Sequence, residues 1–343
     1  MAHLPAGHLP TGHPPVPAAR VGVLLVNLGT PEAPGAPEVR RYLAEFLSDP
    51  RVIEIPRLVW WPILHGIILR TRPARSAHAY AQVWTDEGSP LAAITRRQAE
   101  GLQARLGAGV VVAHAMRYGQ PAIGAQIAWL QAQGCTRILL APLYPQYCAA
   151  TTATVVDEAG RALAALRWQP ALRSLPPYHD DAAYIAALRA DVVRQLAQLP
   201  FVPEALVLSF HGMPQRTLDL GDPYHCHCLK TARLLGAALA ADFPALRLVT
   251  AFQSRFGRAK WLEPSTETVL AAEARNGIRA LAVLAPGFAA DCVETLEELA
   301  IRGREVFTGA GGADYAVLSC LNDGAVGMAM LEALVRRELG GWL

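Results

Sequence analysis

The sequence predicts an α/β protein of two similar Rossmann-like halves, with parallel sheets facing each other across a cleft. Three observations predict it. Short apolar runs alternate with Ala-rich helical stretches along a chain of 343 residues, the pattern of a sheet covered by helices on both faces. The runs are rich in Val, Leu and Ile without strict alternation, as in strands buried on both sides. Finally, "VGVLLVNLGTP" is echoed by "ALVLSFHGMP", each a strand closing on a Gly-x-Pro turn, and "RILLAPLYP" is echoed by "RALAVLAPGF".

The first twenty residues repeat a Gly-His-Leu-Pro theme without a continuous apolar stretch, and are expected to form a disordered leader in which His3, His8 and His13 serve no defined site. A first half over 21–202 takes strands at 21–28, 110–116 and 137–143, and a helix at 182–196. Between the first two strands lies the greasiest segment, 55–75, "IPRLVWWPILHGIILRTRPAR". Pro62 and His65 interrupt it well short of the ~20 residues of a spanning helix. On sequence alone it is expected to be an ordinary core helix; the rival reading is an exposed apolar lip, with two tryptophans and a basic end of Arg70, Arg72 and Arg75, that touches a bilayer or a greasy ligand. The Pro-flanked link "QLPFVPEA" opens a second half over 203–343, with strands at 205–210, 246–252, 280–285 and 315–318 and helices at 230–241 and 292–302.

Composition narrows the chemistry. A formal net charge of +2, with 17% charged and 52% apolar residues, gives no electrostatic case for nucleic acid. Six scattered cysteines without a signal peptide point to a reducing cytoplasm. "NLGTPEAPG" and "TGAGGADY" lack the context of a phosphate loop, and no Gly-x-Ser-x-Gly elbow occurs. What remains are polar residues at strand ends. His211 closes the strand "ALVLSFH". Asp291, Glu294 and Glu298 fall at helical spacing just after another strand, so that three carboxylates share one face, with His211 expected opposite them across the two halves.

In order and spacing, "VNLGTPEAP", "GSPL", "MRYGQP", "PLYPQY", "SFHGMP", "GDPY", "FQSRFG" with "WLEPSTE", and "CVETLEE" resemble the ferrochelatase family from Val21 onward. The resemblance implies insertion of Fe2+ into protoporphyrin IX, the last step of haem biosynthesis, in a porphyrin cleft between the halves. It makes His211 and Glu294 the catalytic pair and the residues that meet the metal, on opposite sides of the macrocycle. Asp291 and Glu298 would continue an acidic path, with Glu297 facing solvent. Arg72, Ser89 and Ser254 match positions that hold propionates. Arg117 and Tyr118 match residues lining the cleft, while Leu28, Trp60, Trp61, Ile63 and Leu64 match its apolar wall and lip. No cofactor is implied beyond the iron substrate.

Two departures stand out. Cys292 replaces a second histidine found in some relatives. The cluster "YHCHC" brings Cys226 and Cys228 together, with Cys148, His225 or His227 as further donors, but the cysteine-bearing C-terminal extension of cluster-binding relatives is missing. An ordinary surface loop is expected there, not a [2Fe–2S] site. Two rival functions stay open: a chelatase for another tetrapyrrole or metal (coproporphyrin with iron, sirohydrochlorin with cobalt), and a non-catalytic haem or porphyrin carrier. A carrier would need one axial ligand but no carboxylates opposite it. Oligomeric state is not legible, and peripheral membrane contact through the 55–75 lip is expected.

Overall fold

A computed structural model of the protein describes residues 11–12, 18–257 and 259–343. Most of the expected leader, with His3, His8 and His13, lies outside the described residues. The first sheet contains β1 (Arg20–Gly29), β2 (Val110–Tyr118), β3 (Cys135–Pro142) and β4 (Ala171–Ser174), in the order β2-β1-β3-β4. The second contains β5 (Ala205–His211), β6 (Arg247–Gln253), β7 (Ala280–Leu284) and β8 (Asp314–Leu318), in the order β6-β5-β7-β8. Every pairing is parallel. The two orders are identical, and the echoed segments are β1 with β5 and β3 with β7, the central strands of each sheet.

Central position explains their composition. Val23 through Val26 and Ala205 through Leu208 are completely buried, so both faces of these strands require apolar side chains. β4 carries no such signal: it is four residues long, partly exposed, and pairs only with β3 at the sheet edge. The helix Ala182–Leu196 falls where its periodicity predicts. The helix expected at 230–241 begins earlier, at Tyr224, so the His/Cys cluster forms its opening turns and not a loop. The segment expected as an ordinary helix at 292–302 is instead a π-helix over Glu294–Gly303, whose i→i+5 bonding widens the turn.

The apolar segment at 55–75 takes the exposed-lip form, correcting the expected core helix. A helix Arg57–Ile63, a π turn Leu64–Ile68 and a helix Leu69–Val83 follow one another directly. Leu64 and Leu69 anchor them in a small core with Tyr42, Leu43, Leu47 and Tyr118, whereas Leu58 is 93% exposed and Val59, Trp61 and Ile67 also face outward. No described helix is long and apolar enough to cross a membrane.

The halves are interlocked by their helices. Ala182–Leu196, which precedes the link, packs on the helix Tyr224–Leu239 and on the last helix, Ala325–Glu338; that last helix in turn packs on Pro90–Leu106 and β3 of the first half. One hydrophobic core therefore joins Leu25 and Leu139 to Leu208, Leu284 and Leu334.

Candidate active-site cleft

The carboxyl ends of the strands open on a cleft of about 800 Å3, where the loops of open parallel sheets place ligand sites. The first half contributes Leu28 and Gly29 at the end of β1, with Tyr42, Tyr80, Ser89 and Tyr144; the second contributes His211, Phe288, Cys292 and Glu294. Leu91, Leu143, Ala290 and Val293 make much of the remaining wall apolar.

His211 is the last residue of β5 and pairs in register with Gln253 on β6. Its backbone oxygen accepts a hydrogen bond from the Tyr224 phenol at 3.0 Å. A Cβ on the following residue, Gly212, would come within 2.5 Å of the Gln253 carbonyl oxygen, so the close turn after the histidine requires glycine. The imidazole Nδ1 lies 2.7 Å from the Gly212 oxygen. A carbonyl only accepts, so Nδ1 is a donor, and the tautomer this bond selects has its lone pair on Nε2.

Glu294 opens the π-helix after β7. Its backbone oxygen accepts from Gln253 Nε2 at 3.2 Å, while Gln253 Oε1 accepts from the Ser209 hydroxyl at 2.6 Å. Gln253 thus ties the His211 strand to the Glu294 helix. It stands in the quoted "FQSRFG", but the sequence does not reveal that Gln253 makes this tie. β5 and β7 are adjacent strands, so His211 and the carboxylates both belong to the half over 203–343 and not to facing halves. Across the cleft, the Tyr80 phenol is held well above its usual pKa by burial first and by the Glu294 charge next. For Tyr42 the causes are burial, then Tyr80, then Glu294. The Cys292 thiol is raised likewise, by burial and by Glu294. These two tyrosines have no motif signal in the sequence.

The other carboxylates divide. Glu298 accepts from the Ser254 backbone N–H at 2.7 Å and from its hydroxyl at 2.6 Å. Burial raises its pKa, against the opposing pull of those bonds, Arg302 and His211. Ser254, at φ +63°, is therefore committed to Glu298, not free for a propionate. Asp291 is buried and does not line the cleft; its oxygens accept from Thr295, Asn322 and the Cys320 backbone. Glu297 is also buried and pairs with Arg302 at 3.1 Å, correcting its expected place in solvent.

Arg117 and Tyr118 lie within β2 and do not line the cleft, a second correction. Arg117 Nη2 reaches Asp49 at 2.5 Å, the Tyr118 phenol donates to the same oxygen at 2.9 Å, and the Thr154 hydroxyl donates there too. Burial pushes the Asp49 pKa up, but these bonds and the Arg51 backbone N–H bring it below the usual carboxylate value. The network holds β2 to the segments around it. Leu28 and Ser89 do line the cleft, and Ser89 caps the helix Pro90–Leu106 without a side-chain cap bond. Arg72 sits on the lip helix over the Phe256 ring at 4.8 Å. Burial and Arg75 lower its pKa, and among the described residues it has no ion-pair partner. Trp60 is tied back by its indole N–H to the Leu47 oxygen at 2.7 Å, while Trp61 faces outward. In the His/Cys cluster, Cys226 is exposed and Cys148 and Cys228 are buried; among the described residues no three His, Cys, Asp or Glu side chains form a group of metal-binding kind.

Two matched α/β halves with their cleft at the strand ends define the chelatase fold. SirB of Bacillus subtilis with Fe3+ superposes with a TM-score of 0.57 at 15% identity, over 94% of this chain and 97% of that one. The sirohydrochlorin chelatase SirB of a Bacillus subtilis subspecies with cobalt gives 0.54 at 13%, over 93% and 95%. The family profile described as Ferrochelatase matches residues 20–339. Ferrochelatases of Azoarcus sp. and Agrobacterium fabrum are 53% and 52% identical, covering 95% and 96% of this chain and 89% and 96% of their own lengths. The chain belongs to the ferrochelatase family.

Proposed function

We infer that this protein is an enzyme of haem biosynthesis that inserts Fe2+ into a porphyrin, and that the porphyrin is protoporphyrin IX. The observation that carries the mechanism is the meeting of a His211 ring with a free Nε2 and the Glu294 carboxylate in one largely apolar cleft. Insertion exchanges two pyrrole N–H protons for one Fe2+, so the site must accept protons and strip water from the metal. A neutral imidazole nitrogen takes a proton or a metal ion. A carboxylate beside the macrocycle offers a hard oxygen to hydrated Fe2+ and carries protons away. The apolar walls hold the ring by its faces, and remote binding energy bends it toward the metal.

The propionates are assigned to Ser89 and Arg72. Ser89 stands at the N-terminus of a helix of 17 residues, where unpaired N–H groups favour an anion. Arg72 offers a half-buried cation and a two-pronged donor. Six unpaired thiols suit a reducing, cytoplasmic setting, with the lip resting on a bilayer. A carrier would have no use for Glu294 beside His211.

Anaerobic absorbance with protoporphyrin IX and Fe2+ tests the reading. The parent should convert porphyrin to haem, and Glu294→Gln and His211→Ala should each lose about a hundredfold or more in kcat while still shifting the porphyrin spectrum on binding. A parent that binds the porphyrin but never takes up iron would leave the carrier reading.

A further inference from the structure

Asp291 and Asn322 form a reciprocal pair. The Asn322 amide Nδ2 donates to Asp291 Oδ2 at 2.6 Å, and the Asp291 backbone N–H donates to Asn322 Oδ1 at 2.8 Å. The other carboxylate oxygen, Oδ1, accepts from the Thr295 hydroxyl at 2.9 Å and from the Cys320 N–H at 3.3 Å. Thr295 is the neighbour of Glu294 in the π-helix. On the far side, the Asn322 backbone oxygen accepts from Gln98 Nε2 at 2.9 Å, and the same nitrogen donates to the Ala289 oxygen at 3.0 Å. Gln98 belongs to the helix Pro90–Leu106 of the first half. The strap 289–294 is thus pinned at its start by Gln98, at its middle by Asn322 and at its end through Thr295, and Glu294 is the carboxylate it delivers to the cleft.

Two further features mark Asn322. It is one of two non-glycine residues at positive φ among the described residues, at +50°, a conformation that costs free energy and persists where the surroundings demand it. The other is Ser254, which holds Glu298. Both outliers therefore support carboxylates of the same helix region. We propose that Asn322, acting through Asp291, is a positioning residue for Glu294, and that Asp291 serves as a clamp and not as a carrier of protons. This rests on Glu294 acting in insertion as argued above. Glu294 turns over productively only if its carboxylate is held against the macrocycle; an amide–carboxylate clamp on the preceding turn supplies that hold without touching substrate.

An exchange of partners tests it. Asn322→Gly keeps the positive φ and removes both bonds to Asp291, and Asp291→Asn sets two amide donors against each other. Each should lower kcat about fivefold or more with the porphyrin KM within roughly twofold of the parent. The double variant Asp291→Asn/Asn322→Asp rebuilds the side-chain bond with donor and acceptor interchanged, leaves the backbone N–H of position 291 donating to the side-chain oxygen at 322, and should return kcat to within roughly twofold of the parent. Amide hydrogen exchange over 292–299 should quicken in the single variants and recover in the double one. A double variant as slow as Asp291→Asn would make the charge of Asp291 itself the requirement and overturn the clamp; unchanged kcat or unchanged exchange in Asn322→Gly would also overturn it. Full turnover by Glu294→Gln would instead remove the functional reading, while the exchange data, which need no turnover, would still decide the clamp.

Discussion

Two imidazoles outside the cleft give the protein a titration of its own. His179 and His227 stack at 3.6 Å between ring centroids, nearly parallel. Burial lowers both pKa values; for His179 the neighbouring His227 adds to it and Asp180 opposes, leaving about 4. The Tyr147 backbone N–H donates to His227 Nδ1 at 3.2 Å, a bond that needs an unprotonated ring nitrogen. In the unfolded chain each ring takes a proton near pH ~6.5. Below that pH the unfolded state binds more protons than the folded one, so the pair's contribution is complete above pH ~6.5 and is lost as pH falls toward about 4. His179→Phe keeps a flat stacking partner that cannot titrate. Its melting temperature should fall less than the parent's between about pH 7 and pH 5; an equal fall would place the acid sensitivity elsewhere. Nothing in the sequence marks His179, since its partner stands 48 positions away. The place of His211 and Glu294 in the cleft is legible because each follows an apolar strand and sits in a family motif. Arg117, Asp291 and Ser254 were assigned to ligand or path because sequence shows that a side chain is polar, but the choice between a ligand and Asp49, Thr295 or Glu298 is made by the fold.

Among the elements, the lip is the one that folding leaves unsatisfied. Its inner residues Leu64 and Leu69 are buried, but Leu58, Val59, Trp61 and Ile67 face solvent, with Arg57, Arg70 and Arg75 exposed beside them. Arg57 lies over the Trp61 ring at 5.4 Å, the mixture of apolar, aromatic and basic groups that suits an anionic bilayer surface. Inserting a Leu and a Trp contributes about 1.5–3 kcal/mol each. Leu58→Ser together with Trp61→Ala should therefore reduce co-sedimentation with phosphatidylserine-containing vesicles by roughly tenfold or more, and equal binding by parent and variant would remove the membrane role. Trp60 is the wrong probe, because its indole N–H is bonded to the Leu47 oxygen and its removal disturbs the fold. Hydropathy alone favours a core helix for this segment and so misplaces it, since a greasy run looks alike in a core and on an exposed lip. Strands were clearer: only β4 was missed, a short edge strand with no apolar run. The π-helix was invisible, because its carboxylates at 294 and 298 keep the spacing of an ordinary helix while the i→i+5 bonding turns Glu297 inward.

On the scale of the whole molecule, the internal echo correctly announced two sheets of one topology, because buried central strands impose similar apolar composition. It gave no hint that the halves exchange helices. Periodicity shows that Ala182–Leu196 and Ala325–Glu338 each have an apolar face, but not which sheet covers it. The exchange has a thermodynamic consequence. A chain of two domains commonly unfolds in separate steps, yet here one core spans both halves, and the last helix lies on Pro90–Leu106 and β3 as well as on Ala182–Leu196. Unfolding either half would strip apolar cover from the other. Leu334 is fully buried in that shared core, so Leu334→Ala should destabilise by about 2–5 kcal/mol. The loss should appear as one calorimetric transition moved to lower temperature, with hydrogen exchange quickened together in β1 and β5. If β5 alone loosened while β1 kept the parent's protection, the halves would be independent folding units and the cleft between them a hinge; loss in both would make the cleft a rigid mould, held by the exchanged helices in the shape that receives the macrocycle.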